Sequence, residues 1–136
     1  MPPFECALRV RYAETDQMGV VYHANLFAYF EVGRTELLRA VGPPYRDLEA
    51  RGFLLAVVEA ALEYRRPIRY DAPLKVRTRL TALGPASVAF AYEVVHAETG
   101  EIHARGSTRH ACVSPEGRPL PLPGEVRDSL NVHLRP

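Results

Sequence analysis

One apolar run at helical spacing, closed by Gly42-Pro43-Pro44 and followed mostly by strand-like sequence, constrains this chain more than any other feature. From about His23 to Val41, the residues Leu26, Phe27, Phe30, Leu37, Leu38 and Val41 recur at helical spacing. Glu31, Arg34, Glu36 and Arg39 fall between them. A glycine followed by two prolines cannot continue a helix, so the stop is sharp. A helix of that length spans about 28 Å, the width of a small domain. It is apolar around much of its circumference, which predicts a buried helix rather than a surface one.

The flanking sequence has a different period. Phe4 to Tyr12 alternates, with Cys6, Leu8, Val10 and Tyr12 on one face and Glu5, Arg9 and Arg11 on the other. Pro44 to Gly52 reads as a short helical turn. Strands are then predicted over Leu54 to Tyr64, Lys75 to Leu83, Val88 to His96 and Ile102 to Val113. Gly84-Pro85 and Glu98-Thr99-Gly100-Glu101 supply the turns. Glu125 to Leu130 reads as a last helical turn. One helix followed by consecutive strands predicts an α+β fold, the long helix wrapped by one antiparallel sheet. At 136 residues, this is one domain, large enough for a real core.

The chemistry is expected at the helix start. The first N–H groups of a helix lack intrahelical partners, and the dipole makes that end positive. His23, Ala24 and Asn25 supply those groups, with Asn25 or His23 as the cap. Just upstream, Asp16-Gln17-Met18-Gly19 fits a type I turn, with Asp first and Gly fourth. A chain returning from that turn brings the carboxylate toward the helix start. A carbonyl held there meets N–H donors and an oxygen nucleophile or base, an arrangement suited to acyl transfer. The plainer reading makes Asp16 a turn residue and the helix a core helix, since D-x-x-G is common in turns.

The run Tyr12-Ala13-Glu14-Thr15-Asp16-Gln17-Met18-Gly19-Val20-Val21-Tyr22-His23-Ala24-Asn25, then Phe30-Glu31 and Arg34, resembles the signature of the hotdog-fold acyl-CoA thioesterases. Within them it is most similar to the 4-hydroxybenzoyl-CoA thioesterase family and its Tol–Pal-associated bacterial members. The likeness continues through Tyr64-Arg65-Arg66-Pro67, Tyr70-Asp71-Ala72-Pro73-Leu74 and Val76-Arg77-Thr78. Leu26 departs from the pattern, standing where an aromatic often follows, which bears on the shape of an acyl pocket. The resemblance implies a hotdog fold and thioester hydrolysis, with Asp16 as nucleophile or general base and the His23 N–H as oxyanion donor. The His23 side chain and Tyr12 would orient substrate or water. Tyr22, Asn25 and Phe27 would contact substrate. Read from the residues themselves, Arg65, Arg66 and Arg69 form a compact basic group suited to CoA phosphates, the plainer reading being an ordinary solvated surface. CoA is then part of the substrate and no separate cofactor is expected. The resemblance also implies a homodimer, assembled further into a homotetramer, with sites between subunits. A free sheet edge and the apolar strand Phe53 to Leu62 point the same way.

Two other classes share these features. A hotdog hydratase or dehydratase would pair His23 with Asp16, and an acyl-CoA-binding module would use the pocket without chemistry. Other classes lack their signals. A net charge of +1 argues against a nucleic-acid partner. The histidines are dispersed, so no metal is expected, and no P-loop, G-x-G-x-x-G or G-x-S-x-G motif is present. The N-terminal Met1-Pro2-Pro3-Phe4-Glu5 is unlike a signal peptide. No stretch is long and apolar enough to span a bilayer. Cys6 and Cys112 read as buried free thiols in a cytoplasmic protein, a disulfide between them being the weaker alternative. Glu59, inside an apolar strand, is expected to face solvent or a subunit interface.

Overall fold

Alternation of buried and exposed side chains is clearest in the two strands at the middle of the molecule. In β3 (Pro73–Leu83), Leu74, Val76, Thr78 and Leu80 are buried; in β4 (Ser87–His96), Val88, Phe90, Tyr92 and Val94 are. This period-2 burial gives each strand one apolar face. A computed structural model, described here for residues 2–134, joins them with β1 (Phe4–Arg9), β2 (Leu54–Tyr64) and β5 (Ile102–Val113). The five strands form one antiparallel sheet in the order β1-β3-β4-β5-β2. Across its apolar face lies α1 (Asn25–Val41), which packs against β1, β3 and β4. Short helices α2 (Tyr45–Ala50) and α3 (Gly124–Asn131) complete the order.

The buried stripe of α1 is Leu26, Tyr29, Phe30, Gly33, Leu37 and Leu38. Phe30 is fully buried and stacks on Tyr92, ring centroids 4.5 Å apart. Burying such a ring stabilises by about 1.5–3 kcal/mol. Gly33 lets the helix approach β3 closely: a methyl group there would meet Val76 Cγ1 at 2.7 Å and collide with Thr78 Oγ1. The helix is not buried all round, however. Phe27 and Val32 are 37% and 39% exposed, because the sheet covers only one side of α1.

Three local details also differ from the sequence expectation. Ala24 holds the N-cap position with no side-chain cap, so neither Asn25 nor His23 caps α1. Tyr12 does not end β1. Val10 closes the strand region through backbone bonds with Ala72 and Asp71, and the Glu14 carboxylate then accepts the Arg11 N–H, turning Tyr12–Glu14 into a 3-10 turn. Cys6 is half-buried rather than buried; Cys112 is buried, and both thiols are free.

β2 forms one edge of the sheet and is exposed from Ala56 to Ala61, with Val57 and Val58 about half open. Glu59 points outward and pairs with Arg109 at 2.8 Å. The core also holds a polar chain. The Tyr92 hydroxyl and Thr108 Oγ1 lie 2.6 Å apart, and Thr108 Oγ1 lies 2.8 Å from His110 Nε2. Burial, reinforced by the Arg34 charge, pushes the His110 imidazole down to about 4. Among the described residues no helix is long and apolar enough to cross a membrane.

Candidate active site

The segment before α1 folds back on itself as a small hairpin. Gly19 N–H donates to the Asp16 carbonyl at 2.9 Å, closing the turn that the Asp-x-x-Gly spacing predicts, and Gly19 takes the positive φ of 76°. Asp16 N–H donates to Val20 O, Thr15 bridges Val21, and Tyr22 N–H donates to Glu14 O. Asp16 is therefore at the hairpin tip, and Glu14 rather than Asp16 sits level with Tyr22 at the base. The return arm is held from the far side: Val21 N–H donates to Ile68 O at 2.8 Å, and the Tyr64 hydroxyl donates to Val21 O at 3.0 Å. Burial raises the Tyr64 phenol above its ordinary value, and the nearby Asp16 charge adds to this.

Asp16 is half-buried. Its Oδ1 accepts the Met18 N–H at 2.9 Å and the Val20 N–H at 3.4 Å. Both bonds use one oxygen, and among the described residues Oδ2 has no hydrogen-bond partner. At the hairpin base, the first donors of the helical turn are partly consumed: Asn25 N–H donates to Tyr22 O, Leu26 N–H to His23 O, and Phe27 N–H to Ala24 O. The N–H groups of His23 and Ala24 donate to no protein group among the described residues. Of the three donors expected from sequence, Asn25 is thus removed and two remain.

The other expected site residues divide. Tyr22 and His23 are exposed, with rings 4.5 Å apart. Among the described residues the His23 side chain makes no hydrogen bond to Asp16, so these two do not form a dyad within one chain. Tyr12 is 77% exposed and lies edge-on to Tyr70 at 5.5 Å, away from any bond to Asp16. Asn25 turns inward, its Nδ2 donating to Glu14 O at 2.9 Å. Phe27 is accessible, while Leu26 and Phe30 are sealed in the core; of these three only Phe27 can meet an acyl group without repacking. Arg65 and Arg66 lie at the end of β2, remote from a bare basic cluster: Arg65 pairs with Glu63 at 2.8 Å and Arg66 with Glu101 at 3.8 Å. Arg69 lies closer to the hairpin, its Nη1 3.6 Å from the position a Gly19 Cβ would take. No cluster of metal-binding side chains occurs among the described residues.

Glu14, Tyr29 and Tyr64 were not singled out by the sequence reading. The bond from Tyr29 to Glu14 spans 15 positions and that from Tyr64 to Val21 spans 43, beyond any local pattern.

Comparison with known proteins adds to this geometry. The family model described as the thioesterase-like superfamily matches residues 10–130, which includes the hairpin, α1 and every strand of the sheet except β1. The chain belongs to the thioesterase-like superfamily. Within that superfamily it is 33% identical over 124 residues to an acyl-CoA thioester hydrolase, YbgC, of Escherichia coli O157:H7, covering 90% of this chain and 92% of that protein. The crystal structure of a hypothetical protein, TT1821, from Thermus thermophilus is 40% identical, with a TM-score of 0.89 over 95% of this chain and 98% of that one. A DHNA-CoA thioesterase from Staphylococcus aureus is 32% identical, with a TM-score of 0.85 over 90% of this chain and 82% of that one.

Proposed function

We propose that this chain hydrolyses acyl-CoA thioesters to a free acid and CoA, on a hotdog arrangement in which the sheet wraps α1. One observation carries the site assignment. In a thioesterase-like chain, a carboxylate sits at the tip of a hairpin whose base presents two backbone N–H groups, and among the described residues neither those groups nor the second carboxylate oxygen has a partner. In this reading Asp16 Oδ2 either attacks the thioester carbon, expelling the CoA thiolate and leaving a mixed anhydride that water then cleaves to the free acid, or removes a proton from the water that attacks the thioester directly. General-base action supplies about 10²–10⁴-fold. The developing oxyanion is stabilised by the His23 N–H, a type of donor worth about 10²–10³-fold. Phe27 and Tyr22 offer exposed apolar surface to the acyl group.

The same reading requires a second copy. Tyr12, Met18, Tyr22 and Phe27 are exposed on the hairpin and the first turn of α1, and Val57 and Val58 are exposed on the edge strand β2. Pairing β2 with its symmetry mate satisfies the edge and covers this apolar surface. A homodimer, doubled into a tetramer, then completes each pocket. CoA enters as part of the substrate, with Arg65 and Arg66 near its phosphates only after exchange of their carboxylate partners; no other cofactor enters. The free thiols suit a cytoplasmic setting.

The test is a panel of acyl-CoA species assayed for thiol release by the wild type and by Asp16→Asn. The asparagine keeps Oδ1, and with it the bonds to Met18 and Val20, while replacing Oδ2. The expected fall in kcat is at least about 10²-fold with the fold intact. Hydrolysis close to wild type by this variant would remove Asp16 from the mechanism.

A further inference from the structure

Glu14 is tied to more partners around the hairpin than its position in a surface turn requires. Its carboxylate accepts three donors: Arg11 N–H at 2.9 Å and the Tyr29 hydroxyl at 2.9 Å on Oε1, and Arg11 Nε at 3.2 Å on Oε2. Its carbonyl accepts two more, Tyr22 N–H and Asn25 Nδ2, each at 2.9 Å. These donors come from both sides of one gap. Arg11 belongs to the outgoing chain, Tyr22 to the returning arm, and Asn25 and Tyr29 to the first two turns of α1. Tyr29 is 3% exposed, so its hydroxyl reaches Glu14 from inside the core. The ring is held by helix–sheet packing and has little freedom to follow a moving hairpin.

The consequence is geometric. Asp16 is two residues beyond Glu14, and the unpaired N–H groups of His23 and Ala24 lie between Tyr22 and Asn25, both of which Glu14 holds. One residue thus fixes the root of the carboxylate and the root of the oxyanion donors to the same rigid helix. The ionisation of the two partners agrees with a tight contact. Hydrogen bonds from Arg11 and Tyr29 and the Arg11 charge outweigh burial and lower the Glu14 carboxyl. Burial, with Glu14 adding to it, raises the Tyr29 phenol.

We propose that Glu14 is a positioning residue for thioester hydrolysis, clamping the Asp16 hairpin to α1 through Tyr29 and Asn25 and so setting the carboxylate against the N–H groups of His23 and Ala24. This rests on the hydrolase reading above. Displacement of a reacting group by about 1 Å can cost about 10²-fold in rate, whereas binding of the substrate as a whole depends on many contacts. A clamp therefore governs kcat more than affinity.

The experiment measures kcat, KM and thermal midpoint for Glu14→Ala, Glu14→Gln, Tyr29→Phe and Asp16→Asn. Affinity for a non-hydrolysable acyl-CoA thioether is measured alongside. Glu14→Ala should lower kcat by about 10–100-fold while thioether affinity stays within about threefold. Tyr29→Phe, which retains the ring and its packing, should lower kcat by less with the same split. Glu14→Gln, which retains an acceptor for Tyr29, should recover part of the Glu14→Ala loss. If Asp16→Asn is inactive but Glu14→Ala and Tyr29→Phe keep wild-type kcat, the clamp is wrong and the hydrolase reading stands. If kcat and affinity fall together with the thermal midpoint in Tyr29→Phe, the contact is only structural and the proposal fails. If Asp16→Asn keeps wild-type kcat, Asp16 is not the reacting group and the clamp that would position it falls, while the hydrolase reading falls only if the wild type releases no thiol from any acyl-CoA.

Discussion

Replacing Gly33 by alanine sets two known effects against each other. Gly33 is in the middle of α1 on the face against β3, and alanine favours a helix interior over glycine by about 1 kcal/mol. Opposing this, the new methyl would lie 2.7 Å from Val76 Cγ1 and would overlap Thr78 Oγ1, where carbon atoms ordinarily approach to about 3.5–4.0 Å. Both obstacles are β-branched side chains, 0% and 1% exposed, on a strand bonded on both sides by β1 and β4. Neither can swing away, so helix and sheet must separate locally. Overpacking of this kind costs about 1–3 kcal/mol. Two fixed obstacles place the cost at the upper end, about 2–3 kcal/mol, so after the helix gain Gly33→Ala should destabilise by about 1–2 kcal/mol, lowering the thermal midpoint by about 3–10 °C for a chain of this size. Calorimetry and urea denaturation at one fixed protein concentration measure it. The cause is isolated by Val76→Ala, which removes the obstructing γ-carbon: the double variant should lose less than the two single losses added together. A Gly33→Ala protein as stable as wild type, or more stable, would show that α1 does not approach β3 as described.

Three further outcomes follow from the structure. His110 has its imidazole pushed down to about 4 in the folded chain, against an ordinary value near 6.5, so between those values the unfolded chain binds the extra proton. The contribution is complete above about pH 6.5 and is lost as pH falls toward 4, amounting to roughly 3 kcal/mol. Urea midpoints between pH 7 and 4 should fall less steeply for His110→Gln, and an identical slope would contradict a neutral buried His110. Phe27→Ala should change the kcat/KM ratio between bulky and short acyl-CoA substrates by about tenfold or more, since only Phe27 of the early α1 aromatics is accessible; an unchanged ratio places the acyl pocket elsewhere. Activity should decline on dilution in step with dimer dissociation, followed by sedimentation over the same concentration series, and a fully active monomer would defeat the shared pocket.

Much of the architecture depends on neighbours in sequence, and that part was legible before any fold. The limits of β2 and β5, the stop at Gly42 and the turn from Asp16 to Gly19 follow from side-chain period and from residues with restricted or permissive backbones. The thioesterase-like character was likewise carried by short local runs, Tyr12 to Asn25 with Phe30-Glu31 and Arg34, and further segments from Tyr64 to Thr78. Which side of a helix is covered, by contrast, is decided by what packs on it. Phe27 and Phe30 are equally apolar on paper, yet one is exposed and the other sealed against Tyr92. Tyr12 continued an alternating pattern but left the strand, because the Glu14 carboxylate offered the backbone a different partner. Arg65 and Arg66 formed a basic group in sequence and an array of ion pairs in space, since Glu101 comes from the neighbouring hairpin. The bonds from Tyr29 to Glu14 and from Tyr64 to Val21 join residues 15 and 43 positions apart. The turn at Asp16 was therefore written in the sequence. What that turn is fastened to exists only after the sheet has placed α1 and the end of β2 beside it, because a hydrogen bond needs its partners within about 3 Å and only the assembled fold brings distant residues that close.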